Sequence, residues 1–252
     1  MNNENNENNE NKKDESDDYN YEEDIEEDIE EDIISEKQEK NEKEKIHILS
    51  IDIGIHHLGL SLSILNKDYT LNQILWVDMV DITKFTHKKV SANDCKLYHT
   101  KTYTDWIIHF IQENKETFEK ADVILVERQP PVGFVAIEQL FFSLYRHKTY
   151  LIHPKNVHSY FGITSYDYDQ RKHHSIKIAK KYLTHELIDF METKERSHDI
   201  SDSICMMLYW KEKKHKEWKY NEYKKNIAIE YKDIFENLDK FRYKKSPPSR
   251  PS

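Results

Sequence analysis

The stretch HILSIDIGIHHLGLSLSIL, residues 47–65, decides how the chain folds and carries one unexpected charge. Its β-branched and apolar residues predict two strands joined across residues 54–57. Asp52 lies inside the first strand, between Ile51 and Ile53. Because a buried carboxylate without a partner is costly, Asp52 either lies at a strand end in water or binds something positive.

The apolar pattern of the following residues predicts an α/β domain built on a mixed sheet of five strands. A third strand, residues 71–82, continues an antiparallel meander, and the short apolar stretch 122–127 is typical of a buried parallel strand. TYLIHP, residues 149–154, predicts the fifth strand. Helical periodicity predicts helices over residues 93–120, 132–147 and 171–183. It also predicts a last helix that begins near Ser197 or Ser201 and runs to about Trp210. A sheet flanked by helices follows.

Charge is distributed unevenly along the chain. The 252 residues have a formal net charge of −9, but residues 1–45 hold 20 acidic and 6 basic residues, a net of −14. These residues form Asn/Glu and Glu/Asp repeats with few apolar side chains, so they cannot bury enough surface to fold. We predict that residues 1–45 are a disordered acidic extension, dispensable for chemistry. The isoleucines at 25, 29, 33 and 34 leave a partner-binding helix as the alternative.

Two cysteines, Cys95 and Cys205, lie far apart and without a C-x-x-C spacing. This excludes a disulfide framework and a thiolate zinc site, and it favours a reducing compartment. No segment approaches the roughly 18 consecutive apolar residues of a membrane span. The acidic N-terminus differs from a signal peptide. We therefore expect an intracellular protein with no membrane partner.

Three further carboxylates interrupt apolar surroundings as Asp52 does. Glu127 ends the fourth strand, and Asp199 and Asp202 lie three residues apart, so they share one face of the last helix. If that helix packs beside strands one and four, the four carboxylates converge and repel one another. Mg²⁺ prefers such hard oxygen ligands, and two ions roughly 3.5–4 Å apart can clamp a phosphodiester. The pattern predicts a divalent-cation site.

Each acid also has a simpler interpretation. A single Asp in a strand is more often an edge or cap residue, and Glu127 beside Arg128 could form a surface ion pair. The sequence DISD could be a solvated helix start, where acids suit the helix dipole. The combination of all four acids, in this order and on these elements, favours the site.

Three motifs together resemble a known family: SIDIG at residues 50–54, VERQ at 126–129 and HDISD at 198–202. They are similar to motifs of the RuvC-type Holliday junction resolvases of the ribonuclease H-like superfamily, in particular those of poxviruses and related large DNA viruses. The resemblance spans roughly residues 46–210 and implies a ribonuclease H-like nuclease domain there. It implies a homodimeric, Mg²⁺-dependent endonuclease that makes paired symmetric nicks in four-way DNA junctions during recombination or concatemer resolution. The implied location is the host cytoplasm, with the nucleus as the alternative.

The resemblance also implies roles for individual residues. Asp52, Glu127, Asp199 and Asp202 match the family's catalytic and metal-binding acids, which hold two Mg²⁺ ions per active site, with Mn²⁺ as a substitute. Residues 134–145 correspond to the dimer interface. The family's basic, DNA-binding segment is matched in kind by Arg171, Lys172, Lys177, Lys180 and Lys181. The charged C-terminal segment 211–252, which we expect to be partly helical and then loose, has no counterpart.

Several alternatives remain open at this level. Residues 211–225 are interpreted as a solvated helix in preference to a DNA-binding one, and residues 134–145 could be plain core. Phe141 or Phe142 could wedge into a junction, and His198 could assist proton transfer or be structural. A non-catalytic junction-binding scaffold is the second functional candidate. An actin-like or sugar-kinase ATPase is the third candidate. Such ATPases bind phosphate through glycine-rich turns, and the four glycines of this chain do not form one.

Overall fold

The computed structural model describes residues 45–83 and 102–243 of the chain. All of them belong to one compact unit, residues 44–252. The predicted acidic extension, apart from Lys45, lies outside the described residues. So do residues 93–101 of a predicted helix and the end of the C-terminal segment.

A mixed sheet of five strands forms the centre of the molecule, in the order β3-β2-β1-β4-β5. The strands are β1 (Ile46–Ile53), β2 (His57–Leu65), β3 (Leu71–Asp81), β4 (Val123–Glu127) and β5 (Thr149–Ile152). The first three form an antiparallel meander, whereas β4 runs parallel to β1 and β5 runs parallel to β4. The predicted mixed sheet flanked by helices is confirmed.

Seven helices are described. They are α1 (Tyr103–Glu113), α2 (Lys115–Lys120), α3 (Val135–Leu144), α4 (Pro154–Tyr160), α5 (Tyr168–Ala179), α6 (His185–Glu192) and α7 (Ser197–Tyr243). Two predicted helices differ from these bounds. The helix predicted over 93–120 divides at Asn114, whose side-chain Nδ2 donates to the Phe110 carbonyl at 2.8 Å. The last helix does not end at Trp210, because neither glycine nor proline interrupts the chain before Pro247.

Alternation along the strands decides which side chains meet α7. In β1, Leu49, Ile51 and Ile53 pack against α1, α2 and α3, whereas Ile48 packs with α7 on the other face. Successive side chains of a strand point to opposite faces, so Asp52 lies on the α7 face. The same alternation in β4 places Glu127 there. The charge inside β1 therefore faces the helix that carries the other two acids.

Small residues let α7 lie close to the sheet. Gly59 pairs with Asp52 across β1 and β2, and a Cβ at Gly59 would lie 2.0 Å from the backbone oxygen of Asp199. The serines Ser50, Ser61 and Ser63 are fully buried in the same two strands. The hydroxyl of Ser50 donates to the Ser203 carbonyl of α7 at 2.7 Å. The first turns of α7 are thereby held directly over Asp52.

Candidate active site

The four predicted acids line one pocket of about 280 Å³. Asp52 and Glu127 come from the neighbouring strands β1 and β4, and Asp199 and Asp202 come from the first turns of α7. Asp52 is 8% exposed and Asp199 only 2% exposed. The pocket therefore gathers four carboxylates, of which Asp52 and Asp199 are buried and Glu127 and Asp202 are half-buried.

The two strand carboxylates resist ionisation in this setting. Burial raises the pKa of Asp52 well above its usual value, and the charges of Glu127 and Asp202 raise it further. Burial also raises the pKa of Glu127, to about 7, although a hydrogen bond from Gln129 opposes the change. A cation beside the pair would therefore favour its charged form.

Lys172 of α5 supplies positive charge inside the pocket. Its Nζ lies 2.5 Å from Oδ2 of Asp202 and 3.9 Å from Oδ1 of Asp199. Burial alone would lower the pKa of Lys172, but the charge and hydrogen bond of Asp202 raise it, so the ammonium group stays protonated. The ammonium group thus offsets part of the repulsion among the acids.

The five basic residues predicted to bind DNA differ in their exposure and in their contacts. Arg171 and Lys172 line the pocket, whereas Lys177 and Lys181 are exposed. Lys180 forms an ion pair with Glu192 of α6. Only part of this set is available as an outer phosphate-binding surface.

Asp199 has its own pair of basic neighbours. Nε of Arg196 donates to Oδ2 of Asp199 at 2.7 Å, and Nε2 of His198 lies 3.1 Å from Oδ1. Burial would raise the pKa of Asp199, but these two partners outweigh it and hold the pKa at about 2. Asp199 is therefore ionised at neutral pH, and His198 is placed beside it.

Gln129 and Glu138 support Glu127. Gln129 belongs to the VERQ motif, but the sequence analysis predicted a role for neither residue. The side chain of Gln129 donates from Nε2 to Oε2 of Glu127 at 2.7 Å, while its backbone N–H donates to Oε2 of Glu138 at 2.6 Å. Glu138 is 4% exposed and also accepts from Gln139 at 2.8 Å. These contacts connect the first turn of α3 to the end of β4.

The buried face of α3 bears on the predicted dimer interface at residues 134–145 and on the possible wedge at Phe141 or Phe142. Ile137, Glu138 and Phe141 face inward, and Phe141 is fully buried, so it is not available to wedge into a junction. Phe142 is half-buried with the guanidinium of Arg146 above its ring, 5.5 Å from the centroid. Leu144 is 51% exposed on the outer side. The interface role of residues 134–145 stays a prediction.

The long helix α7 does not resemble a membrane span. Among residues 45–83 and 102–243, no helix combines the length and apolar content needed to cross a bilayer.

Comparisons with known proteins place the chain in a family. Residues 45–214 match the family model described as Poxvirus A22 protein. No curated protein matches. A complex of Fowlpox virus resolvase with Holliday junction DNA is 18% identical, with a TM-score of 0.49, over 67% of this chain and 98% of that one. Fowlpox virus Holliday junction resolvase alone is 17% identical, with a TM-score of 0.48, over 67% and 99%.

A bacterial structure is more distant. Thermus thermophilus RuvC is 15% identical, with a TM-score of 0.39, over 65% of this chain and 92% of that one. The family model, in contrast, covers more than half of the chain and includes β1, β4 and the start of α7. The resemblance to poxvirus proteins predicted from three short motifs is thereby confirmed, and the chain belongs to the Poxvirus A22 protein family.

Proposed function

We propose that this chain is a Holliday junction resolvase, an endonuclease that makes paired symmetric nicks in four-way DNA junctions during recombination or concatemer resolution. One observation carries the proposal: Asp52, Glu127, Asp199 and Asp202 converge with Lys172 in a single pocket. Membership of a poxvirus protein family and the three resolvase-like motifs support it. The proposed place of action is the site of viral replication in the host cell.

The donor set fits divalent cations. All four acids offer the hard carboxylate oxygens that Mg²⁺ prefers. Burial raises the pKa values of Asp52 and Glu127, so a bound cation would favour the charged forms of these two acids. Within the described residues, no three His, Cys, Asp or Glu side chains are close enough together to coordinate one metal ion. Asp202 accepts a hydrogen bond from Lys172 in this arrangement. We propose that the four acids hold two Mg²⁺ ions, with Mn²⁺ as a substitute. Such ions supply an activated water and stabilise the departing 3′ oxygen.

The chain's own side chains bind the phosphate and hold the acids in place. Arg171, Lys172 and Arg196 line the pocket and present positive charge to a DNA phosphate. Gln129 fixes one oxygen of Glu127 through a hydrogen bond. Arg196 fixes the orientation of the Asp199 carboxylate through hydrogen bonds to both of its oxygens, and His198 lies beside it. Orienting groups in a desolvated site lower the cost of reorganisation during the reaction.

Paired nicking of a two-fold symmetric junction needs two active sites, so the proposed enzyme is a homodimer. We propose α3 as the contact, because Leu144 is exposed on its outer side while Phe141 is turned into the core. Through Gln129 and Glu138, the same helix is tied to Glu127. A contact on α3 would therefore lie close to the chemistry of each subunit.

The decisive experiment compares three DNA substrates. The full chain is incubated in Mg²⁺ with a synthetic four-way junction, a linear duplex and a flap, and the products are separated by size. We expect symmetric nicks in the junction and little cleavage of the duplex. Binding of the junction without cleavage in Mg²⁺ or Mn²⁺ would instead support the scaffold hypothesis. Equal cleavage of all three substrates would overturn junction selectivity.

Stability should fall with rising pH when a chelator keeps divalent cations away. The pKa of Glu127 is about 7 in the folded chain against a usual 4.5, so the folded state holds a proton that the unfolded state has already lost. The stabilisation is fully present below about pH 4.5 and is lost as the pH rises towards 7. The loss amounts to roughly 3 kcal/mol.

Urea unfolding at pH 5, 6, 7 and 8 measures this dependence. Glu127→Gln should reduce it and leave the part that comes from Asp52, whose pKa is also raised by burial. Mg²⁺ should remove it in the wild-type chain because the cation favours the ionised acids. An equal slope in wild type and Glu127→Gln would contradict the assignment of this proton to Glu127.

Lys172 and Lys177 should behave differently when they are replaced. Lys172 lies in the pocket, so Lys172→Met should lower the nicking rate more than about 100-fold while reducing junction affinity little. Lys177 is exposed on the same helix, so Lys177→Met should leave the rate unchanged at saturating DNA. It should also reduce the salt dependence of binding by about one ion. Single-turnover nicking and binding titrations at several salt concentrations separate these effects, and identical behaviour of the two variants would contradict the division.

Gln129→Ala should lower the nicking rate roughly 10- to 100-fold, as loss of a group that orients a metal ligand typically does. Junction affinity should be unchanged, because Gln129 contacts Glu127 and does not present charge to DNA. Gln139→Ala is the matched control, since the exposed Gln139 bonds only the other oxygen of Glu138. Equal rates for the two variants would contradict the positioning role of Gln129.

A further inference from the structure

Helix α7 continues well beyond the part of the chain that matches the family. The match ends at residue 214, whereas α7 ends at Tyr243. Large apolar side chains on this extension are exposed: Tyr220 is 57% exposed, Tyr223 63%, Tyr231 60% and Ile234 53%. Residues 215–243, which we call the α7 extension, therefore present apolar side chains that residues 45–83 and 102–214 leave exposed. Exposed apolar surface of this kind marks sites of interaction with a partner.

The apolar residues of the α7 extension follow a coiled-coil spacing. Tyr220, Ile227 and Ile234 are seven residues apart, and Phe241 continues the series. Tyr231 and Leu238 each follow four residues after a member of that series. A repeat of seven with apolar residues at two positions is the pattern of helices that pair along one seam.

This seam lies on the side of α7 that is turned away from the sheet. His215 of α7 contacts the Asp68 carbonyl through Nδ1 at 2.5 Å, and Lys214 lies over the Tyr150 ring, 6.0 Å from its centroid. These residues mark the side of the helix that packs on the domain. At about 100° per residue, Tyr220 and Ile227 point in nearly the opposite direction. Ile227 is half-buried and Tyr220 and Ile234 are exposed, so a partner can reach the seam without displacing α7 from residues 45–83 and 102–214.

We propose that the α7 extension pairs with the same segment of a second copy of this chain, antiparallel and centred on Ile227. Charge favours that direction. Residues 211–225 contain seven Lys and three Glu, whereas residues 230–239 contain four acidic residues and one Lys. Antiparallel pairing places the basic segment of each helix beside the acidic segment of its partner. Parallel pairing would place segments of the same charge beside each other. With Ile227 opposite itself, Tyr220 lies opposite Ile234.

A second copy fits this seam better than DNA does. Phosphate is attracted to residues 211–225, but the acidic residues of 230–239 would repel it along the second half of the seam. The seam is apolar along its centre, which suits another apolar helix. This contact is separate from α3, and it does not depend on the proposed nuclease activity.

Two isoleucines of α7 provide a matched test. Ile227 lies in the seam, whereas Ile229 is 59% exposed but lies about 160° around the helix from Ile227. Ile227→Glu should weaken self-association of the full chain at least tenfold, and Ile229→Glu should not change it. Sedimentation equilibrium measures both. Equal association constants for the two variants would overturn the proposal.

The contact proposed for α3 is removed first, so that only one interface is measured. In a Leu144→Glu background, the chain should still dimerise, and adding Ile227→Glu should make it monomeric. A Leu144→Glu chain that is already monomeric at the same concentration would overturn the α7 contact. If Ile227→Glu instead weakened junction binding without changing the mass, DNA would be the occupant of the seam and the proposal would be wrong.

Cross-linking then tests the direction of pairing in a Cys95→Ser background. A mixture of Tyr220→Cys and Ile234→Cys chains should form a disulfide between the two variants under mild oxidation. Ile227→Cys alone should cross-link to itself, and Tyr220→Cys alone should not. Efficient self-cross-linking of Tyr220→Cys would show parallel pairing and overturn the antiparallel arrangement.

Discussion

Asp52→Asn is expected to abolish nicking of four-way junctions and to leave junction binding intact. The change keeps the size of the side chain and removes one of the charges that would hold a cation in the pocket. Loss of a ligand should lower the rate by more than the roughly 10- to 100-fold that follows loss of a supporting residue. Glu127→Gln, Asp199→Asn and Asp202→Asn should behave alike. Binding measured in Ca²⁺ should be equal or tighter, because less negative charge faces the phosphate.

The outcome separates a metal nuclease from a fold that only binds junctions. Asp169→Asn is the control, since this exposed acid begins α5 outside the pocket and should nick normally. If Asp199 and Asp202 only favour the start of a helix, their replacement would cost at most about 1 kcal/mol of stability and leave nicking unchanged. Near wild-type nicking by Asp202→Asn would remove that residue from the site. Normal nicking by Asp52→Asn would refute the proposed function.

Gly59→Ala is expected to have the largest effect of any change that adds no charge. The new Cβ would lie 2.0 Å from the backbone oxygen of Asp199 and 2.9 Å from the backbone nitrogen of Ile200. Backbone cannot rotate away as a flexible side chain can, so α7 must shift from the sheet. We expect a loss of about 3 kcal/mol or more in stability. Nicking should also be lost, because Asp199 and Asp202 would move relative to Asp52.

Ser61→Ala is the matched control for Gly59→Ala. Ser61 is a fully buried residue of the same strand, and its hydroxyl has no hydrogen-bond partner within the described part of the chain. Its removal should therefore leave stability within about 1 kcal/mol of wild type, or raise it. Thermal unfolding and single-turnover nicking measure both variants. A Gly59→Ala chain with wild-type melting and nicking would contradict the close packing of α7.

The strands and the helix that carry the acids could be predicted from the position of each acid in a regular pattern. Asp52 interrupts an apolar strand, Glu127 ends one, and Asp199 and Asp202 keep helical spacing. Strand alternation then puts the first two on one face of the sheet. Local periodicity is sufficient for such inferences. The roles of these residues remain predictions until the variants are measured.

Lys172 illustrates what the local pattern did not reveal. Beside Arg171 and near Lys177 it resembled one member of a basic surface, yet its side chain enters the pocket. A signal was present, since Ser175 and Ala179 lie three and seven residues later and are both buried. Small residues at that spacing mark the packed face of α5. Recognising this face requires knowing that α5 packs against α7.

Gln129 and Gly59 could not be assigned from sequence for a different reason. Gln129 donates to Glu127 two residues away, and its own backbone is held by Glu138, a contact that forms only after α3 docks. Gly59 matters because the backbone of α7, 140 positions along the chain, lies against it. Both depend on contacts between distant segments. The end of α7 was missed because alternating charges suggested a solvated stretch and concealed the seven-residue repeat.

The close fit of α7 onto the sheet has a consequence for synthesis of the protein. β1 and β4 leave the ribosome before α7, and at about 5–20 residues per second the delay from Glu127 to Asp199 lasts several seconds. A nascent chain in that interval holds half of the acids and lacks the assembled pocket. The sheet face that waits for α7 includes Ser50, Ser61 and Ser63, which are buried in the finished fold. Hydroxyl groups along that face make it less prone to aggregate while it is still uncovered.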